Sequence, residues 1–512
     1  MNSGSRNGLA RAPEDPGVVV IGAGPAGLTA AYVLSKGGAK VTVLERDPVY
    51  VGGIARTASY KGFHFDIGGH RFFSKSQEVE DLWTELLPSD MLERPRSSRI
   101  LYGGKFYSYP LQAVEALLNL GIVESGLCVL SYAKARAFPV KDARSLEDWV
   151  SNQFGERLFR IFFKTYNEKV WGMSCKEISA DWAAQRIKGL SLSSAIWNAL
   201  PFKRQPRERG KVIKTLIDSF RYPRLGPGMM WQACAGRVRE MGNEVLLGRR
   251  VTACAYDAVR GVWSVTHEDA EGHASTSTAK HVVSSAPIRE LVAGLSPAPS
   301  SAARTAARSL KYRDFLTVVL ILRDRGAFTD NWIYIHDPSV MVGRIQNFKS
   351  WSPEMVPDPA MACYGLEYFC FEGDGLWTAS DADLVERGKR EIAAIGLADP
   401  ADVVDGCVVR QAKAYPVYDG AYARHVDTIR HEIEARYPGL HLVGRNGMHK
   451  YNNQDHAMMT AMLCAKNILA GETLYNVWNV NQDAEYHESD ERGSQASISG
   501  LRDVPRRVQP RL

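Results

Sequence analysis

Apolar positions along this chain change their spacing several times, and each change marks an element. Val18-Val-Val-Ile21 is an unbroken β-branched run, as in a strand covered on both faces, and an Ala-rich helical stretch follows it directly. Lys40-Val-Thr-Val-Leu-Glu45 reads as a second strand. From about Met91 to Ser219, apolar residues recur every three or four positions, as in Leu146-Glu-Asp-Trp-Val and Leu158-Phe-Arg-Ile-Phe-Phe. That spacing predicts a mainly helical region laid over a core. Within it the polar, basic run Lys203 to Lys214 predicts an exposed loop. A helix near Met229 to Met241 leads through Gly242-Asn243 into the strand-like Glu244-Val-Leu-Leu. Trp263 to His267 alternates like a half-buried strand, Glu271-Gly272 marks a turn, and Lys280 to Ser285 is a further strand. Runs such as Leu316 to Leu322, between Tyr312 and about Tyr368, predict a second sheet. An apolar helix, Ala457 to Leu469, closes the patterned part, and the last 35 or so residues are polar and charged, as in a tail or wrapping arm.

The link between the first strand and its helix is Gly22-Ala-Gly24-Pro-Ala-Gly27. In such a link Gly22 makes the tight turn, Gly24 lets the backbone approach a pyrophosphate, and Gly27 lets helix and strand pack closely. The helix start then offers free N–H groups and a partial positive charge to the phosphates. Glu45, ending the second strand, stands where a carboxylate grips a ribose hydroxyl pair, and it disfavours a 2′-phosphate. Val51-Gly52-Gly53-Ile54-Ala55-Arg56-Thr57 resembles the flavin signature of amine-oxidase-like flavoenzymes. Phe65-Asp66-Ile67-Gly68-Gly69-His70 resembles its continuation beside the isoalloxazine. The resemblance implies FAD rather than NAD, held by Gly22, Gly24, Gly27, Glu45, Gly53 and Arg56. The fold class expected is α/β, a Rossmann-like FAD-binding domain of the two-dinucleotide-binding-domain type interleaved with substrate domains. The cofactor domain takes residues 17–90, 220–300 and 421–475, a helical substrate domain 91–219, a β-sheet substrate domain 301–420, and a tail 476–512.

Composition narrows the function without naming it. At 512 residues, 45% hydrophobic and 23% charged, the chain is a globular protein of two or three domains. A net charge of +6 with no long basic run interleaved with aromatics argues against nucleic-acid binding. Eight scattered cysteines, none in CxxC or Cys/His spacing, argue against zinc and against a disulfide framework, so no metal site is expected. The polar, Pro/Gly/Ser-rich start has no signal-peptide core, and the apolar stretch Leu111 to Tyr132 is broken by Glu115 and Glu124. These features predict a cytoplasmic protein without a membrane span. Oligomeric state is not legible.

Three further segments sharpen the resemblance. Tyr166-Asn167-Glu-Lys-Val-Trp171-Gly, followed by Ala180-Asp-Trp182-Ala-Ala-Gln-Arg186, resembles a helical stretch of the UDP-galactopyranose mutases. Asn331-Trp332-Ile-Tyr334 and Gly343-Arg344-Ile-Gln-Asn347 resemble that family's sheet over the substrate. Val443-Gly444-Arg445 and Lys450-Tyr451-Asn452-Asn453-Gln454-Asp455-His456 resemble its C-terminal flavin motif. The flavin motifs are shared with the wider amine-oxidase and protoporphyrinogen-oxidase superfamily.

The resemblance implies an isomerase that converts a pyranose to a furanose form of a nucleotide sugar. It works from reduced FAD, whose N5 carries the sugar during ring opening and closure. NAD(P)H is a candidate external reductant. By resemblance, Arg186 and Arg344 face the departing diphosphate, since a guanidinium binds two oxygens at once and stays charged. Tyr415 and Tyr451 resemble diphosphate-contacting tyrosines, Trp171 and Tyr334 would line the pocket, and Asn167 would bond a phosphate or a sugar hydroxyl. His70 would sit at the flavin, tuning N5 or relaying a proton. Gly444 and Arg445 belong to the cofactor set. So do Asn453 and Gln454, whose helix would aim its N–H groups at the N1–O2 edge of reduced flavin. The rival reading is an FAD-dependent oxidoreductase of the amine-oxidase or protoporphyrinogen-oxidase type, in which flavin N5 accepts a hydride.

Overall fold

The β-branched runs at 18–21 and 41–44 become the centre of a five-stranded parallel sheet, ordered Leu440–Leu442, His281–Ser284, Val18–Ile21, Val41–Leu44, Glu244–Leu246. The computed structural model describes residues 17–109, 111–180 and 219–480 of the chain. All four residues of Val18–Ile21 are buried because side chains alternate between two covered faces. Val18 and Val20 point into a core with the helices Pro25–Lys36, Gly228–Glu240 and Gln454–Ala470. Val19 and Ile21 point into another core, built from Trp263, Ile288 and Ile429. That second face is covered by a smaller sheet of Arg250–Asp257, Val262–Glu268 and Ala274–Ala279, joined by Leu295–Ser296. Trp263 pins it by donating its indole N–H to the Pro438 carbonyl, 2.9 Å away.

A seven-stranded sheet forms the other half of the molecule, in the order Val403–Pro416, Tyr312–Arg323, Met361–Cys370, Arg344–Asn347, Trp332–Ile335, Ser98–Tyr102, Lys105–Ser108. Its second strand, Tyr312–Arg323, again alternates between two cores. Phe315, Val319 and Ile321 face the helical layer, whereas Leu316, Val318, Leu320 and Leu322 face the helix Asp381–Ala394. The helical layer runs through Leu146–Phe154 and Thr165–Trp171, the first opened by a Ser145/Asp148 capping box.

One expectation fails here. Residues 91–108 are not helical: Met91–Pro95 pairs with Ser219–Pro223, and Ser98–Tyr102 and Lys105–Ser108 form a hairpin on the large sheet. The hairpin turns at Gly103-Gly104, both at positive φ, which is the turn chemistry of a two-residue hairpin loop. Its strand Ser98–Tyr102 lies parallel to Trp332–Ile335, a partner far along the chain that no local spacing reveals. The predicted loop 203–214 and the tail beyond residue 480 lie outside the described residues.

Candidate active site

The parallel sheet ends at a cleft of about 520 Å³. At its centre is the glycine turn. Gly22 has φ +95, and a Cβ on Gly27 would sit 1.8 Å from the Gly22 carbonyl oxygen, so neither position tolerates a side chain. Gly24 and Gly53 line the cleft where their backbones pass each other, and the helix Pro25–Lys36 opens there. Beside it, the buried Glu45 carboxylate accepts from the backbone N–H of Ala23 at 2.6 Å and of Asp47 at 2.9 Å. These bonds fix its direction at the cleft wall and leave acceptor capacity for ligand hydroxyls. Arg56 donates to the Gly53 carbonyl at 2.9 Å and to Gln411 Oε1 at 2.6 Å, and burial lowers its pKa against the fields of Asp47 and Glu45.

At the far end, Gly444, Arg445, Asn446, Asn453 and Gln454 line the same cleft. The 17-residue helix Gln454–Ala470 starts here, behind an Asn453/His456 capping box, so its positive dipole end meets the cavity. Gln454 donates to the Arg71 carbonyl at 3.1 Å, which leaves its Oε1, like Asn446 Oδ1, buried without a partner. A bound group with its own donors at this wall would answer both oxygens. Arg445 donates to the carbonyls of Asn452 (2.9 Å) and Ala414 (3.0 Å). No carboxylate pairs with it among the described residues, so its charge is uncompensated.

His70 joins this cleft to a second group of polar and aromatic side chains. It lines the cleft, and it meets Arg344 around Gly68: a Cβ there would lie 3.7 Å from His70 Nε2 and 3.8 Å from Arg344 Nη2. Burial, together with the guanidiniums of Arg445 and Arg344, lowers the His70 pKa to about 4. The ring is therefore neutral at neutral pH, and its Nε2–H donates to the Ile67 carbonyl at 2.9 Å. With this N–H engaged, the neutral ring is held in one orientation at the cleft wall.

Arg344 has an internal partner. It stands on Arg344–Asn347, opposite Glu367 of Met361–Cys370 in register. Nε and Nη2 donate to the two Glu367 carboxylate oxygens at 2.8 and 2.9 Å, and Glu367 has no solvent exposure. Burial is the largest influence on Arg344 and works against its charge, but Glu367 together with Tyr415, Tyr166 and Tyr334 holds the pKa well above the ordinary value. The guanidinium is thus oriented and half-used by an internal partner, rather than free to clamp an anion with its full charge. Gln346 also donates to Glu367.

Around this pair the aromatic residues converge. Tyr415 and Tyr451 stack at 5.5 Å and 12°, and the Arg445 guanidinium lies 5.3 and 5.2 Å from their ring centres. Burial, then Tyr451, raises the Tyr415 pKa, while Arg344 and Arg445 act to lower it. Tyr334 packs against Tyr109 (4.6 Å) and edge-on to Tyr166 (5.4 Å). Trp171, 1% exposed, sits in the core behind Tyr451 at 6.1 Å, which makes it a support more than a wall. Asn167, also buried, commits one N–H to the Phe163 carbonyl at 2.7 Å. Arg186 lies outside the described residues. Sequence reasoning missed Glu367, although a single acid in the otherwise apolar Met361–Cys370 was a signal. It also missed Lys169, whose ammonium donates to the carbonyls of Ile335, Asp337 and Val342 and so ties the helix of Trp171 to the hairpin of Tyr334 and Arg344.

A glycine-turn parallel sheet, an acid ending its second strand and a helix start facing the same cleft define a dinucleotide-cofactor enzyme fold, here beside a second, seven-stranded sheet. The chain belongs to the flavin-containing amine oxidoreductase family, whose profile matches residues 25–469. That family is one of flavin-containing enzymes, so the chain is a flavoprotein of amine-oxidase type. It is similar in structure to a reduced UDP-galactopyranose mutase, with a TM-score of 0.77 at 22% identity, covering 90% of this chain and 96% of the other. A protein described as a putative protoporphyrinogen oxidase from Exiguobacterium sp. 255-15 gives a TM-score of 0.67 at 17% identity, over 89% and 99% of the two chains. Identities this low speak for the fold alone. The L-amino acid oxidase Cdc18 of Crotalus durissus cumanensis is 43% identical over 77 residues, 15% of each chain. An inactive all-trans-retinol 13,14-reductase of Danio rerio is 52% identical over 56 residues, 11% of this chain and 9% of its own. The matched part therefore spans less than a sixth of these relatives' own length.

Proposed function

We propose that the protein is a flavin-dependent nucleotide-sugar mutase that interconverts pyranose and furanose ring forms with no net redox change. The observation that carries this reading is the gathering of Arg344, Tyr334, Tyr415 and Tyr451 beside His70, a residue of the cleft wall. That set offers several N–H and O–H donors and no free carboxylate, which suits a diphosphate better than an amine. The fold likeness to a reduced UDP-galactopyranose mutase supports the same reading.

In this proposal Gly22, Gly24, Gly27 and Gly53 admit the FAD diphosphate, Glu45 holds its ribose, and Arg56 adds charge. Reduced FAD, once bound, supplies an electron-rich centre that ends the cycle unchanged, with NAD(P)H a candidate for first reducing it. The start of the helix Gln454–Ala470, with Asn453, Gln454, Gly444 and Arg445, offsets the negative charge of the reduced ring. Arg344, held in one orientation by Glu367, presents its remaining N–H edge to the leaving diphosphate, and the hydroxyls of Tyr334, Tyr415 and Tyr451 donate to the same oxygens. Arg186 completes the clamp. Asn167 orients the sugar or a phosphate, Trp171 backs Tyr451, and neutral His70 accepts a hydrogen bond at the reacting face.

A second reading, amine or amino-acid oxidation by hydride transfer, is favoured by the 43% identity to an L-amino acid oxidase over 77 residues. One experiment separates them. The dithionite-reduced protein is incubated with a panel of nucleotide sugars, and products are resolved by chromatography. A ring isomer formed only with reduced flavin supports the mutase. Oxygen consumption with amines or amino acids, and no isomer, overturns it in favour of the oxidase.

A further inference from the structure

The helices Ala113–Leu120 and Ile122–Ala137 lie against the core through Ala116 and Cys128 and leave their opposite face bare. That face is apolar: Leu118 is 76% exposed, Ile122 93%, Val123 79%, Leu130 67%, and Phe138, just past the helix end, 80%. Leu127, Val129 and Val140 extend it. Single exposed apolar residues are ordinary, but a continuous set on one helical hairpin marks a surface that meets something. Exposed cations flank one end of it, whereas Glu115, in the first turn of Ala113–Leu120, accepts from the backbone N–H of Ser108. Lys134, Arg136 and Lys141 are exposed at the Phe138 end, and no carboxylate pairs with them among the described residues. The nearby acids are already answered, Glu124 by Arg157 and Asp142 by Arg144.

We propose that this face docks the protein on an anionic phospholipid bilayer. The hairpin would lie in the plane of the interface, with Ile122, Val123, Leu130 and Phe138 below the headgroups and Lys134, Arg136 and Lys141 among them. This is the pattern of a peripheral interfacial helix: an apolar face rimmed by long cationic side chains that reach the lipid phosphates. No helix among the described residues is long and apolar enough to cross a membrane, so the contact is one of surface, not of span. A second copy fits less well, because a two-fold contact through this face would bring together two sets of the same uncompensated cations. The proposal does not depend on which reaction the enzyme performs.

The test is flotation of the full-length, flavin-loaded protein with phosphatidylcholine vesicles that contain phosphatidylglycerol, against vesicles of phosphatidylcholine alone. We expect co-flotation with the anionic vesicles that weakens as salt is raised. Lys134→Glu with Arg136→Glu should lower partitioning by about fivefold or more per cation. Leu130→Ser with Phe138→Ser should abolish it, with an unchanged flavin spectrum in both variants showing that the fold is intact. Absence of flotation, or flotation indifferent to both variants, overturns the proposal. Absence of flotation with a concentration-dependent dimer lost in Leu130→Ser/Phe138→Ser would assign the face to a second copy. A monomer that ignores vesicles would assign it to residues 181–218 of this chain.

Discussion

Arg344→Ala tests the site at its most consequential pair. The substitution leaves Glu367, which is fully buried, with only Gln346 to answer its charge. Removing one partner of a buried ion pair costs about 3–5 kcal/mol, because the remaining charge stays desolvated. Arg344→Met combined with Glu367→Leu removes both charges and fills the space, which by itself is close to neutral. Gln346 then loses its acceptor, at about 1–3 kcal/mol. The double variant should therefore lose about 1–3 kcal/mol in urea unfolding, against about 3–5 kcal/mol for the single variant. If Arg344 also contacts the diphosphate, both variants should bind UDP at least about thirtyfold more weakly, equivalent to about 2 kcal/mol. UDP binding is read from perturbation of the flavin absorbance. Two results refute the reasoning. A stability loss under about 1 kcal/mol for Arg344→Ala would mean that Glu367 is not a stranded charge. Parental UDP affinity in the stable double variant would make the pair a strut of the sheet and nothing more.

Other consequences follow from the same geometry. Gly27→Ala places a Cβ 1.8 Å from the Gly22 carbonyl oxygen, so the purified variant should be colourless; a full flavin complement would disprove the packing argument. Burial raises the Asp66 carboxyl to about 8, against the bonds it accepts from Tyr222 and Thr57. A raised acid binds an extra proton in the native state, so stability should fall as pH climbs from roughly 4 to 8, by up to about 1.4 kcal/mol per unit, with the whole deficit present above 8. Urea midpoints across that range should be flatter for Asp66→Asn, which should gain on the parent at alkaline pH; equal slopes would show that Asp66 is already ionised in the native protein. His70, held near 4, should contribute no inflection to activity between roughly pH 5 and 9, and an inflection that His70→Asn removes would restore the proton-relay role.

The cofactor half of the molecule was legible because its signals are local. A strand, three glycines and a helix start fall within Val18 to Lys36, and Glu45 ends the next strand. The helix expected over Ala457–Leu469 runs from Gln454 to Ala470, with Asn453 and Gln454 at its mouth. The half built on the seven-stranded sheet was read less well, because its determinants are pairings across long separations. Ser98–Tyr102 looks unremarkable until Trp332–Ile335 lies beside it. The tyrosines and Arg344 could be named from motif alone, but their charge state could not. Whether Arg344 is free depends on Glu367, a residue on the adjacent strand whose register only the folded sheet sets. His70 teaches the same lesson: the ring was identifiable, and its neutrality comes from burial and two distant guanidiniums.

The order of strands in the parallel sheet has a consequence for biosynthesis. Its edge strand Leu440–Leu442, and the helix that follows at Gln454–Ala470, are among the last patterned pieces to leave the ribosome. Until then His281–Ser284 lacks one neighbour, and the apolar side of Pro25–Lys36 lacks the helix it packs against. Nascent chains ending before that point would expose a sticky sheet edge and could not retain a flavin. Premature termination there should yield aggregates and no coloured fragment.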